Sequence, residues 1–310
     1  MTDPAVLRRY RVEHSTRYEY VATVMHGHHL LHLSPRQQQW QRAMQHDIDL
    51  HPITGLLRPD TDAFGNPVHR LEMESPHQQL IINASSEVLV SVRPEWQADS
   101  TMEWEQVCKR LCYRHQSRTT EELEAISYRA ESPHVRVKNA FADFATACFP
   151  VGCPILVGAQ TLMSKIYREL AYAPGETQVN TSVLSVLESR RGVCQDFAHL
   201  MIACLRSLGL SARYVSGYLR TRPPEGEAAL VGVDASHAWV SVYAPPYGWV
   251  DLDPTNDLRV GLEHITLGWG RDFSDVSPIR GVIVGGGEHQ VTVAVTVTEL
   301  NDRVVDSSTS

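Results

Sequence analysis

Carbonyl chemistry by a cysteine needs a thiolate, and a thiolate is favoured where a helix begins, because unpaired backbone N–H groups and aligned peptide dipoles stabilise negative charge there. Cys194 has that position. It follows Arg191-Gly192 and opens VCQDFAHLMIACLRSLGL, in which Phe197, Leu200, Met201, Cys204, Leu205 and Leu208 recur at helical spacing. Gly209 suits the position just past the helix end. The spacing predicts a buried helix starting at or near Cys194, with Gly192 allowing a sharp entry and the Cys194 N–H left free to stabilise an oxyanion. Cys204 lies on the apolar stripe and reads as core.

A nucleophilic thiol requires a base and a group that orients the base. His237 heads the run SHAWVSVY (236–243), which APPYG separates from WVDLD (249–253). If APPYG is a hairpin turn, pairing Tyr243 with Trp249 sets Trp239 opposite Asp253, with His237 on the same face two residues along. Diagonal neighbours across a hairpin lie roughly 7–8 Å apart at the backbone, within reach of an imidazole and a carboxylate. Asp251 shares that face but pairs with Ser241, too far along the strand. Asp253 is the better partner, held extended by Pro254.

The elements that position these residues fall into an α+β pattern. Residues 1–95 alternate and turn often, with DAFGN (62–66) among the turn signals, which predicts an N-terminal antiparallel β-sandwich-like domain. PEWQADS has linker composition, and a helical connecting region follows over 96–158, where Trp104, Val107, Cys108, Leu111 and Cys112 share one helical face and Val137, Phe141, Phe144 and Ala145 another. A catalytic core is assigned to 159–300. It includes a helix over 162–171, a strand over 211–219, a polar loop over 221–235 and a closing strand in HQVTVAVTVTEL. Residues 301–310 form a polar tail.

GVCQDFAHLMIACLRSLGLSARYVSGYL and DASHAWVSVYAPPYGWVDLDPTND together resemble the transglutaminase-like superfamily. The likeness extends to YAPGETQVNTS (172–182), to GRDFSDVSPIRGV (270–282), and to the β-rich N-terminal region that accompanies bacterial members. The resemblance implies a papain-like core with helices packed on an antiparallel sheet, and a Cys194–His237–Asp253 triad acting through a thioester. It also implies no metal and no other cofactor, and a peptide or protein substrate. Members divide between hydrolases, where water resolves the thioester, and cross-linking transglutaminases, where an amine does; some relatives are non-catalytic binding modules. Animal cross-linking enzymes are larger and calcium-regulated, and no EF-hand-like loop stands in this sequence, so hydrolysis of a peptide or isopeptide-like amide is the expectation.

Lesser candidates surround the triad. Tyr172 is a potential oxyanion donor or a buried structural residue; Gln195 and Asp196 lie in the first helical turn; Trp239 shields the site or packs in the core. Asp272 and Asp275 could meet substrate or bond their own turn. HGHH (26–29), Cys108 with Cys112, and Cys148 with Cys153 lack the companions of a zinc site.

Composition bounds the rest. With 43% apolar and 21% charged residues the chain is of globular type, and a formal charge of −8 without a basic stripe argues against nucleic acid. No apolar run of membrane-spanning length and no signal-peptide pattern appear, and six sparse cysteines suit reduced thiols, so a cytoplasmic protein without membrane partners is expected.

Overall fold

The first strand, β1 (Leu7–Leu31), runs through the centre of the N-terminal sheet in a computed structural model that describes residues 7–112, 118–221 and 236–300. The remaining strands of this region are β2 (Gln41–His51), β3 (Leu56–Thr61), β4 (Pro67–Met73) and β5 (His77–Ser91). Four helices follow: α1 (Trp104–Arg110), α2 (Thr120–Ser127), α3 (Asn139–Thr146) and α4 (Ile155–Glu169). Next come β6 (Ala171–Tyr172), α5 (Val183–Ser189), β7 (Arg191–Gly192) and α6 (Cys194–Ser207). The chain continues through β8 (Ala212–Leu219), β9 (Ser236–Tyr243), β10 (Trp249–Asp253), β11 (Leu258–Arg259) and β12 (His264–Gly270). It ends with α7 (Phe273–Val276), β13 (Ile279–Gly285) and β14 (His289–Leu300).

The runs YRVEHSTRYEYV and HHLLHLSP, expected as separate strands, form one. The first half of β1 pairs with β5 and β14, and the second half with β4 and β13. Its pairing to β5 shifts register between Glu19 and Val24, so the strand bends there without ending. The N-terminal region is thus one curled antiparallel sheet of seven strands rather than a two-sheet sandwich. Its inner face holds Tyr20, Leu31, Leu71, Met73, Leu80 and Ile82.

Two expected boundaries move. The assigned 159–300 core loses its last two strands, because β13 and β14 pair with β1. A period-2 pattern identifies a strand without naming its partner. The connecting region, in turn, belongs to the core: Val107, Leu111, Ala125, Phe141, Phe144 and Ala145 share one apolar cluster with α4 and α6. The tail (301–310) and most of the expected 221–235 loop lie outside the described residues.

The second sheet has the order β11-β10-β9-β8-β12 and is antiparallel throughout. Tyr214, Ala238, Val240 and Val242 pack with α6, where Leu200, Met201, Ile202, Cys204 and Leu205 are fully buried. Each such Leu, Met or Ile side chain contributes about 1.5–3 kcal/mol relative to exposure, which fixes the axis of α6 and therefore the place of Cys194. Tyr218, Ile265 and Leu267 pack with Tyr10, Val12, Val88, Val90, Val295 and Val297 of the N-terminal sheet.

The DAFGN turn locks the two sheets together. Asn66 donates to Trp269 O (2.8 Å) and accepts from Trp269 N (2.9 Å), while Arg36 lies 3.6 Å from the Trp269 ring centroid. The segment that fastens β12 is thus contributed by the N-terminal sheet.

Candidate active site

Cys194 is the first residue of α6. The first intrahelical bond runs from Phe197 N to Val193 O (3.0 Å), which leaves the Cys194 and Gln195 N–H groups ahead of the ladder. Asp196 caps this end: Oδ2 accepts from Val193 N at 2.9 Å and from the Thr177 hydroxyl at 2.7 Å, with the side chain buried. Gly192 serves a different purpose from the one expected. Its φ is not positive; instead a β-carbon there would meet Asp196 Cβ at 2.7 Å and Oδ2 at 2.8 Å.

The β9–β10 hairpin has the register expected from its turn: Tyr243 opposes Trp249, Asp251 opposes Ser241 and Leu252 opposes Val240. His237 Nε2 lies 2.7 Å from Asp253 Oδ2, in a buried pair. Asp253 engages Nε2, and Cys194 stands near enough to favour a charged imidazole. The Cys194 sulfur lies 3.9 Å from Ser236 O, immediately ahead of the histidine. Burial opposes a charged His237, but Asp253 and Cys194 outweigh it and push the imidazole up to about 10. Burial also opposes a charged Asp253, and the bonds from His237 and His264 outweigh it, holding the carboxyl well below its usual range.

Asp253 is more heavily bonded than the hairpin alone implies. Its Oδ1 accepts from Thr255 N (2.9 Å) and Asn256 N (3.3 Å), and its Oδ2 from Asn256 Nδ2 (2.7 Å). The buried His264 adds Nε2 at 3.2 Å from the same Oδ2. Neither Asn256 nor His264 was anticipated. DPTN hints at the first, whereas nothing in the sequence separates His264 from an ordinary strand-start histidine.

Asp251 has another role. It pairs with Arg93 (2.6 Å) and accepts from Trp239 Nε1 (3.3 Å). Trp239 is fully buried and stands edge-on to His264, with centroids 5.2 Å apart at 83°. It is the wall behind the two histidines, which supports the packing reading over a shield open to substrate.

Tyr172 is 55% exposed, so the buried structural reading fails. Its strand pairs Tyr172 with Gly192, its ring meets Phe197 edge-on at 6.4 Å, and its phenol is raised by burial and by Cys194. Gln195 reaches back to Val179 O (3.4 Å), tying the 172–182 segment to α6. Asp272 is not available to substrate. It is fully buried, accepts from Ser274 N (2.9 Å) and Ser274 Oγ (2.6 Å) as the cap of α7, and accepts from His134 N (2.7 Å). Asp275 bonds the Arg271 guanidinium at 2.9 Å. An N-capping aspartate and a substrate-binding one look alike in sequence.

All six cysteines are free. Burial pushes the thiols of Cys108, Cys148, Cys153 and Cys204 up, Cys108 to about 11. Among the described residues one group has metal-ligand character: His237, Asp253 and His264 bring single donor atoms within 4.8 Å of one another. Two ligands on a tetrahedral zinc stand roughly 3.3 Å apart, given bonds of about 2.0–2.1 Å. The 2.7 Å between His237 and Asp253 is too short for that and is a hydrogen bond.

Family comparisons follow the same lines. Residues 154–254 match the transglutaminase-like superfamily core, and residues 10–89 match the bacterial transglutaminase-like N-terminal region. An uncharacterized protein of Mycobacterium tuberculosis is 37% identical over 290 residues, covering 91% of this chain and 90% of the relative. One from Mycobacterium leprae is 32% identical over 301 residues, covering 94% and 99%. The chain belongs to the transglutaminase-like superfamily.

A crystal structure from Cytophaga hutchinsonii, described as that of a candidate cysteine protease, superposes with a TM-score of 0.73 at 17% identity, covering 96% of this chain and 92% of that one. It shows that the two proteins share this fold. A protein-glutamine gamma-glutamyltransferase of Pseudomonas aeruginosa is similar over 103 residues at 34% identity, 31% of this chain and 15% of that one.

Proposed function

We propose that this transglutaminase-like protein is a cysteine-dependent acyl-transfer enzyme that hydrolyses an amide of a peptide or protein substrate. The observation that carries this reading is the buried 2.7 Å bond between His237 and Asp253, beside a Cys194 that opens a helix and whose sulfur lies 3.9 Å from the carbonyl oxygen of Ser236, the residue before that histidine. In the proposed reaction the Cys194 thiolate attacks the carbonyl carbon, and the Cys194 N–H with the Tyr172 hydroxyl stabilises the oxyanion. The His237 imidazolium gives its proton to the departing amine as the C–N bond breaks, leaving a thioester. Water then attacks, His237 takes the water proton, and the C–S bond breaks to release the acid and restore the thiolate.

Water needs no pocket of its own to resolve the thioester, which favours hydrolysis. The similarity to a protein-glutamine gamma-glutamyltransferase favours a second reading, in which a primary amine takes that place. Six free thiols accord with the proposal of a reducing, cytoplasmic setting.

Iodoacetamide labelling at pH 6, followed by peptide mass mapping, tests the nucleophile. Cys194 is expected to react well ahead of the other five cysteines. Equal, slow labelling of all six would leave a non-catalytic binding module as the better reading. A glutamine peptide offered with and without a primary amine then separates the acceptors, deamidation marking water and amine incorporation marking transfer.

A further inference from the structure

Two histidines from different strands converge on one carboxylate oxygen. His237, from β9, places Nε2 2.7 Å from Asp253 Oδ2, and His264, from the start of β12, places its own Nε2 3.2 Å from that oxygen. The second ring has a defined tautomer. Gly261 N donates to His264 Nδ1 (3.4 Å), so Nδ1 is an acceptor and Nε2 carries the proton given to Asp253. Its surroundings fix it further: it is 3% exposed and rests edge-on against Trp239, whose indole is bonded to Asp251.

We propose that His264 is a positioning residue of the catalytic site, a neutral donor that shares Asp253 Oδ2 with His237 and thereby limits how tightly the carboxylate holds the His237 proton. The inference rests on the acyl-transfer reading above and deepens it. A carboxylate oxygen with three donors spreads its charge over all of them. Removing one strengthens its hold on the others. Asp253 does not move when His264 is lost, because Thr255 N, Asn256 N and Asn256 Nδ2 continue to hold it. The effect therefore falls on the imidazole proton rather than on the place of the carboxylate.

The charged and titratable groups around His264 are Asp253 from β10, His237 from β9, and Arg93, itself paired with Asp251. Burial, first, and then His237 and Arg93 disfavour a charged His264, outweighing Asp253, and its pKa falls below the ordinary value. A neutral imidazole here gives Asp253 one donor, Nε2, and no charge of its own. His237 must surrender its proton to the leaving amine, and an imidazole held too tightly is a poor acid.

The test needs no substrate. The rate of Cys194 alkylation by iodoacetamide is followed against pH for the wild type, His264→Phe and His264→Gln, with near-ultraviolet circular dichroism reporting whether each variant folds. Gln carries a neutral N–H donor near the place of Nε2; Phe keeps the ring and removes the donor. Expected is an upward shift of the high-pH inflection, where His237 loses its proton, by about one pH unit in His264→Phe and its return toward the wild-type value in His264→Gln. An unchanged inflection in a folded His264→Phe, or equal shifts in both variants, would overturn the assignment. If His264→Phe does not fold, His264→Leu takes its place as the variant without a donor: an upward shift that His264→Gln lacks supports the donor role, and an unchanged inflection rejects it. A wild-type Cys194 no more reactive than its neighbours would instead overturn the underlying enzyme reading.

Discussion

Gly192 lies so close to Asp196 that a β-carbon on the glycine would sit 2.7 Å from the aspartate Cβ. The obstructing atom is next to the backbone of α6, so a side-chain rotation does not relieve the clash. Gly192→Ala is expected to displace the first turn of α6, cost about 1–3 kcal/mol and slow Cys194 alkylation together. Thermal unfolding and alkylation rates measured on one preparation check this; a variant as stable and as reactive as the wild type would refute it.

Asp251 and Asp253, two residues apart on β10, should fail in different ways. Asp253→Asn removes the acceptor that fixes the His237 tautomer and also one partner of a buried pair, so a loss of about 10²- to 10⁴-fold in turnover is expected together with a fall in melting temperature. Asp251→Asn breaks the ion pair with Arg93, whose nitrogen stands 2.6 Å from the carboxylate. Removing one partner of a buried pair costs about 3–5 kcal/mol, so stability falls while the folded fraction keeps a reactive Cys194. Unfolding curves paired with active-site titration distinguish the two.

Stability should also depend on pH through the His237–Asp253 pair. The imidazole is raised from its ordinary 6.5 to about 10, so its contribution is complete below about 6.5 and is lost as pH climbs toward 10. The carboxyl is lowered from 3.8, so its contribution is present above that value and is lost in more acidic solution. The shared stabilisation is thus full between these ordinary values, 3.8 and 6.5. Melting temperature compared between pH 6 and pH 10 should fall more in the wild type than in His237→Gln; parallel curves would remove the pair as the cause.

Gly217 marks where the wall behind the histidines is tightest. A β-carbon at this position would lie 2.2 Å from Ile265 O and 2.4 Å from the Trp239 ring. Gly217→Ala is expected to cost several kcal/mol, roughly the upper end for overpacking a core, because one of the two obstructions is backbone. Calorimetry on the variant is the check, and a melting temperature unchanged from wild type would contradict the close packing of Trp239.

The parts of the site that the sequence made legible are those set by local geometry. The period of the apolar residues located α6, and hairpin register chose Asp253 over Asp251, since APPYG fixes the pairing and sets Asp251, on the same face, opposite Ser241 and too far along the strand from His237. The parts that stayed hidden depend on contacts between distant segments. His264 meets Asp253 through the placement of β12, which pairs with β8 and is fastened by Asn66 from the N-terminal sheet. The burial of Asp272 depends on His134, far away in the chain, and the 25 residues of β1 form one strand because four others flank them.

The pairing of β1 with β14 also dictates an order of assembly. A ribosome delivers the earliest strand of the sheet first and its neighbour, residues 289–300, last. Throughout synthesis one edge of β1 therefore waits unpaired, and completing it joins residues nearly a whole chain apart, from Arg9 to Leu300. Such long-range closure is entropically costly and slow. The first sheet thus reaches its final form only after translation has delivered the residues that follow the proposed catalytic segment.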